Sequence, residues 1–206
     1  MKGAAVFPRI APRSLDLAQA GAQVARMIRA FLALPLPEPV VHRLTVAQHR
    51  LPLPRPLDPE SFHVTLVFLD TQPEPVLEEL HYALESRTLP APVLRLDGFG
   101  SFGGADPLSL HAVIAADPRL TALQAKLAQA ARGVGIALPA RRFVPHVTLG
   151  RWRKGEAQPD LLARALGAFG PLTSEPWVAD ELVLYRSLLR PEGAVYDPLA
   201  RYPLTI

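Results

Sequence analysis

The 206-residue chain contains no cysteine at all. This absence excludes disulfide bonds, thiolate nucleophiles and zinc sites built on cysteine, so any metal site would have to use histidines and carboxylates. It is also compatible with a reducing compartment, and we expect a cytoplasmic protein. Uncharged apolar runs are short as well, because Arg, Asp or Glu interrupts each of them before the roughly 18 residues that a membrane span requires. We therefore expect no membrane partner.

The excess of positive charge is small, since the formal net charge is only +3. Such an excess attracts a phosphate-bearing partner but does not coat a surface for general nucleic-acid binding, so we expect a localised site. With 23 prolines and 13 glycines, the chain stays below the range typical of low-complexity disorder. A hydrophobic content of 49% predicts a folded globule: one domain, or one compact body of two lobes.

The pattern of apolar residues predicts an N-terminal extension over residues 1–28 and a folded domain over residues 29–206. Charges in the extension break up any secretory signal, and the part from Ser14 to Arg29 is predicted to be partly helical. Strands are predicted over 30–34, 63–69, 93–96, 108–114, 180–188 and 194–202, with one more beginning at Val144 or Pro145. Helices are predicted after Pro37, over 76–84, from Asp117 to Gly133 or Gly135, and over 161–169, with loops over 51–57 and 98–104.

One tetrapeptide occurs twice, as His63-Val64-Thr65-Leu66 and as His146-Val147-Thr148-Leu149. Chance predicts about 0.2 copies of His-x-Thr in a chain of this composition, so two copies that also agree at both apolar positions are a specific signal. Each copy stands on a predicted strand that follows a loop and precedes a helix. The sequence therefore predicts an internal duplication.

Alternation along a strand gives the motif a physical meaning. The His and Thr side chains share one face, about 6–7 Å apart, while Val and Leu point to the core. Two such pairs on opposite sides of a cleft could surround one tetrahedral phosphate. We therefore expect an α+β fold of two lobes, in which two mainly antiparallel sheets face a central cleft and the helices pack outside.

With these motifs the sequence resembles the two-histidine (2H) phosphoesterase superfamily, and within it the bacterial RNA 2′,3′-cyclic phosphodiesterases first described as 2′-5′ RNA ligases. The likeness runs from about Arg29 to Pro203. The sequence departs from the family at two places. Val144 stands where the family often has a basic or polar residue, and Leu110-His111 stands where it often has a Leu-Trp pair. Beyond the two motifs, the likeness rests on Arg29–Pro35, Leu96–Gly100, Phe143–His146 and Leu184–Ser187.

The resemblance implies an enzyme that opens a 2′,3′-cyclic phosphate on an RNA end and leaves a 2′-phosphate. It implies that His63 is the proton donor to the departing ribose oxygen and that His146 accepts the proton of the attacking water. An unperturbed histidine pKa near 6.5 suits both roles at neutral pH, so no metal and no cofactor are expected. We expect a monomer whose partner is RNA with such an end, or a related nucleotide.

Four further positions are candidates for contacts with the substrate. Thr65 and Thr148 would hydrogen-bond the phosphoryl oxygens. Arg151 matches a basic position common after the second motif and would contact phosphate, the alternative being a solvated arginine. Phe68 would stack on a base, the alternative being a core residue, because it has the same parity as Val64.

The other histidines are weaker candidates. Those on predicted helices, His42, His49 and His81, lack the spacing of a helical zinc site and are predicted to lie on the surface. His111 is predicted to be an interior strand residue. Two alternative functions keep the same motif residues: a 2′-5′ RNA ligase and a phosphodiesterase for small cyclic nucleotides. A third alternative is a catalytically silent nucleotide- or RNA-binding module.

Overall fold

A computed structural model describes residues 26–115, 117–190 and 193–206. Its helices are α1 (Glu38–His49), α2 (Glu74–Glu85), α3 (Pro118–Gly133) and α4 (Pro159–Phe169). None of these described helices is long and apolar enough to cross a membrane. The strands are β1 (Met27–Pro35), β2 (Arg55–Pro56), β3 (His63–Pro73), β4 (Val93–Leu94), β5 (Leu96–Phe102), β6 (Ser109–Ile114), β7 (His146–Arg151), β8 (Trp177–Val178), β9 (Glu181–Arg190) and β10 (Gly193–Pro203).

Two four-stranded antiparallel sheets form the two lobes that the sequence predicts. The first lobe has the strand order β10-β9-β1-β3, and the second has the order β2-β7-β6-β5. Each motif lies at the start of one strand, β3 in the first lobe and β7 in the second, and these two strands contact each other. The α+β fold class with mainly antiparallel sheets is therefore confirmed.

The helices pack outside the sheets and close the core. Helices α2 and α3 contact β3 of the first lobe, and α1 contacts β7 of the second. Prolines stand in the first turn of all four α-helices, where a missing N–H costs nothing. The Asp117 side chain caps α3 by accepting a 2.8 Å hydrogen bond from the N–H of Leu120, as expected from the sequence.

Three local predictions are wrong. Met27 to Arg29 belong to β1 and pair with β3, and Arg26 just before them is not helical either; residues 14–25 of the predicted helix lie outside the described residues. Residues 98–102 are not a loop, because they belong to β5, of which residues 99–102 pair with β6. Within the proline-rich segment 51–57, Arg55 and Pro56 make a short pairing with β7. In each case the partner strand supplies hydrogen bonds that the local sequence does not reveal.

We predict that Leu32→Ala lowers the free energy of unfolding by about 2–5 kcal/mol, because Leu32 is fully buried in the middle of β1 and its loss leaves a cavity. Urea denaturation followed by circular dichroism measures this. Leu189→Ala is the matched control, since Leu189 is 71% exposed on β9 and its truncation should change stability by less than about 0.5 kcal/mol. Equal losses in the two variants would contradict the assignment of the core.

Candidate active site

The His63 ring is fixed by the backbone that precedes it. A short 3-10 turn, Pro59–Ser61, ends just before β3, and its last carbonyl, that of Ser61, lies 2.7 Å from Nδ1 of His63. A carbonyl can only accept, so Nδ1 carries the proton. In the neutral ring Nε2 is then the basic nitrogen, and it accepts a hydrogen bond from the Thr65 hydroxyl at 3.0 Å.

The second motif repeats the contact of Nδ1 with the backbone. Nδ1 of His146 donates to the carbonyl of Val144 at 2.7 Å, so the contact again reaches two residues back along the chain. In both lobes the backbone occupies Nδ1 and leaves Nε2 as the nitrogen that can exchange a proton with a ligand. Thr65 and Thr148 are half-buried next to these rings, on the same strand faces.

Each motif histidine packs against two aromatic rings that also contact each other. The ring centroid of His63 is 4.8 Å from that of Phe31 and 5.1 Å from that of Tyr196. The centroid of His146 is 4.9 Å from those of Phe102 and His111. These rings remove water from one side of each imidazole.

The loss of water sets the pKa values of both imidazoles. The pKa of His63 is lowered to about 4, mainly by burial and to a smaller extent by the positive charge of a protonated His146, while the Ser61 carbonyl partly opposes the shift. Burial also lowers the pKa of His146, and the charge of Arg151 adds to this effect. In the unliganded protein both rings are therefore mainly neutral at pH 7, and an anion bound between them would favour protonation.

A β-bulge lies at the last residue of each motif and changes which of the following residues face the cleft. Leu66 has no partner in the pairing of β3 with β1, and Leu149 has none in the pairing of β7 with β6. One extra residue reverses the alternation of side chains beyond it. As a result, the fifth residue after each motif histidine, Phe68 or Arg151, lies on the same face as the motif.

Phe68 is 39% exposed and lies opposite Phe31 of β1, whose ring contacts His63. The alternative that Phe68 is a core residue is therefore wrong, because the parity argument did not allow for the bulge. The guanidinium carbon of Arg29 lies 4.9 Å from the Phe68 ring centroid, within range of a cation–π interaction.

Arg151 is exposed at the end of β7, opposite Ser109 and Arg55 on the neighbouring strands. Its charge adds to the lowering of the pKa of His146 in its own lobe, and it partly opposes the rise that burial causes in the pKa of Tyr196 in the other lobe. The charge of Arg29 also acts on Tyr196. The two arginines thus bring positive charge to the cleft from different lobes.

For the remaining histidines, the predicted burial agrees with the structure except at His81. His42 and His49 are exposed on α1, as expected. His81 is not a surface residue: it is 7% exposed, and its Nδ1 lies 3.1 Å from the hydroxyl of Tyr202. The sequence contained the signal, because His81 follows Leu77 and Leu80 at the spacing of the buried face of α2. His111 is an interior residue of β6, as expected.

Sequence reasoning missed the rings around the motif histidines, namely Phe31, Phe102 and Tyr196. In β1 the residues next to Phe31 are also apolar, so periodicity could not show which of them faces the cleft. Tyr196 reaches His63 from the last strand of the chain, through pairings that a single sequence does not display. In the part of the chain that the structure describes, no group of three or more His, Cys, Asp or Glu residues could hold a metal ion.

A family model described as the 2′-5′ RNA ligase superfamily matches residues 35–190 of the sequence. The chain belongs to this superfamily. One relative, an RNA 2′,3′-cyclic phosphodiesterase of Thermus thermophilus, is 33% identical over 191 residues, which are 86% of the chain and 90% of the relative. Another of the same name, from Geobacillus stearothermophilus, is 30% identical over 185 residues; the match covers 84% of the chain but only 56% of the relative.

Two solved structures share the fold. The crystal structure of E. coli LigT with 3′-AMP superposes with a TM-score of 0.74 at 24% identity, over 88% of this chain and 100% of LigT. A crystal structure of a Thermus thermophilus protein gives a TM-score of 0.73 at 27% identity, over 86% and 98% of the two chains. These similarities agree with the two-lobed arrangement of the sheets.

We predict that the His63 ring stays neutral, with its proton on Nδ1, down to about pH 5, because burial lowers its pKa to about 4. Long-range ¹H–¹⁵N correlation spectra, recorded from pH 8 to pH 4, report the tautomer and the pKa of each ring. Addition of inorganic phosphate should raise the pKa of His63, since a bound anion favours the imidazolium. A His63 pKa near 6.5 in the free protein would contradict the desolvated site.

Proposed function

We propose that the protein hydrolyses RNA 2′,3′-cyclic phosphate ends to 2′-phosphomonoesters by metal-independent acid–base catalysis with two histidines. The observation that carries this proposal is the pair of matched His-x-Thr sites on the adjoining strands β3 and β7. In each site the backbone holds Nδ1 and leaves Nε2 for proton transfer. Two such nitrogens can serve the two ends of an in-line displacement at one phosphorus atom.

In the proposed reaction His146 is the base and His63 the acid. Nε2 of His146 takes a proton from water as its oxygen attacks phosphorus. The bond between phosphorus and the 3′ oxygen breaks, and His63 protonates that oxygen, so a 2′-phosphate and a 3′-hydroxyl remain. After one turnover His63 is neutral and His146 carries a proton, and exchange with solvent restores the starting state.

The low pKa of His63 makes its protonation dependent on substrate. A cyclic phosphodiester carries one negative charge, and its approach compensates for the burial that disfavours the imidazolium. The acid therefore forms as the substrate binds. In the free protein the hydroxyl of Thr65 donates to Nε2 of His63, and we propose that a phosphoryl oxygen takes over this donor. Thr148 has the equivalent position in the second lobe.

Arg151 and Phe68 supply the proposed contacts outside the reacting group. Because the bulges turn both residues to the motif face, Arg151 can pair with phosphate oxygens while Phe68, next to Arg29, offers a ring on which a base stacks. We propose a monomeric, cytoplasmic enzyme whose substrate is an RNA end or a related nucleotide. Two relatives named RNA 2′,3′-cyclic phosphodiesterase and a LigT structure with bound 3′-AMP support a nucleotide substrate.

We predict that His63→Ala and His146→Ala each reduce hydrolysis of an oligonucleotide 2′,3′-cyclic phosphate by about 10²-fold or more, because each removes one proton-transfer group. The assay is run in EDTA, and the position of the product phosphate is determined by NMR. His49→Ala is the control, since His49 is exposed on α1 and should leave the rate unchanged. Full activity in either motif variant, or a strict need for divalent metal, would contradict the mechanism.

The substrate class is tested by comparing cyclic-ended RNA, cyclic mononucleotides and 2′-5′-linked dinucleotides with the same enzyme. Phe68→Ala should raise KM for the oligonucleotide by about 5- to 100-fold, as expected for loss of one base-stacking contact, with a small change in kcat. Phe68→Tyr retains the ring and is the matched control. If Phe68→Ala leaves KM for every substrate unchanged, Phe68 does not contact the base.

A further inference from the structure

His111 is a buried imidazole that the proposed reaction does not use. It lies in the middle of β6, directly opposite Thr148 of β7, and only 3% of its surface is exposed. Its ring stacks on Phe102 with centroids 4.3 Å apart and planes inclined by 28°. Its centroid is also 4.9 Å from that of His146.

Gly100 provides the space that this ring occupies. The two residues are opposite each other in the pairing of β5 with β6. A Cβ atom at position 100 would lie 2.4 Å from Nε2 of His111, closer than any real contact. A larger residue at position 100 would therefore displace the imidazole from this position.

Packing, and not hydrogen bonding, holds the His111 ring. Its Nδ1 is buried and has no hydrogen-bond partner among the residues that the structure describes. Burial, together with the charge of a protonated His146, lowers the pKa of His111 to about 4, so the ring is neutral at pH 7. What it supplies to its surroundings is the shape of a flat aromatic ring.

We propose that His111 is a positioning residue for His146: wedged between Gly100 and Phe102, its ring supports one side of the His146 imidazole and keeps water away from it. This inference rests on the proposed function only in that it assigns the role of base to His146. In the first lobe the position opposite Thr65 is Ala33, and His63 is supported by Phe31 and Tyr196 instead. His111 is thus a feature of the second lobe alone.

The groups that act on the charge of His146 come from three directions. His111 faces it from β6, Arg151 follows it on β7, and His63 lies across the cleft. From β5 it meets the uncharged ring of Phe102. Burial is the largest cause of its lowered pKa, so removal of a covering ring should raise that pKa toward 6.5.

The first test compares His111→Ala with His111→Phe. The alanine variant admits water and should raise the pKa of His146, measured by NMR in the free protein. The phenylalanine variant keeps a ring and should hold that pKa near its wild-type value. In the oligonucleotide assay, His111→Ala should lower kcat about 10-fold or more with KM changed less than about 3-fold, and the acid limb of the pH–rate profile should move to higher pH.

The second test uses Gly100→Ala, whose methyl group pushes against the ring without removing it. Alone, it should lower kcat and shift the pKa of His146. In the His111→Ala background the space is open, so the same change should have little further effect. If His111→Ala is too unstable to study, Gly100→Ala in the wild-type background carries the test by itself.

Several results would overturn the proposal. They are an unchanged His146 pKa in His111→Ala, additive effects of the two substitutions on kcat, or equal damage in His111→Phe and His111→Ala. The NMR measurement needs no substrate, so a failed phosphodiesterase assay leaves it intact. Conversely, if His146→Ala loses activity while the His111 variants leave the pKa of His146 and kcat unchanged, the proposed function is upheld and the positioning role is rejected.

Discussion

The hydrogen bond from Nδ1 of each motif histidine to the carbonyl two residues earlier is the constraint on which the site depends. It fixes the tautomer and the orientation of the ring at once, because a carbonyl accepts only. It also opposes the effect of burial by favouring the protonated ring. Without it, an imidazole packed against aromatic rings would have no fixed nitrogen to present to a ligand.

Burial and charge act together around this contact. The aromatic rings exclude water and so lower the pKa of both histidines, while the arginines Arg29 and Arg151 add positive potential to the cleft. In the empty site the low pKa values keep both histidines mainly neutral, and an anion that enters the site raises these pKa values. In the proposed reaction, the same design would attract a phosphate and couple its binding to the protonation of His63, the proposed acid.

The two motif copies have similar backbone arrangements, but the side chains around them differ. Both copies have the same motif, the same upstream contact and the same bulge, which leaves Leu66 or Leu149 unpaired. The residues brought to the cleft by the bulge differ, an aromatic ring in one lobe and a cation in the other. The rings that support the two histidines differ as well. An asymmetric substrate with a base at one end and a phosphate at the other would suit this arrangement.

Local chemistry along the chain is enough to predict the repeated motif, the pairing of His with Thr on one strand face, the α+β class and most helices. The rules involved act over a few residues: alternation along a strand, apolar spacing along a helix, and capping by Asp117 and proline. Even the burial of His81 could have been predicted from the apolar stripe of α2.

The packing of distant segments decides three other features: the direction of Phe68, the place of Tyr196 and the surroundings of His111. A bulge is a mismatch between two paired strands, so neither strand's sequence alone specifies it. Desolvation likewise depends on rings that come from distant parts of the chain. The sequence therefore specifies which chemical groups are present, and strand pairing specifies which of them meet.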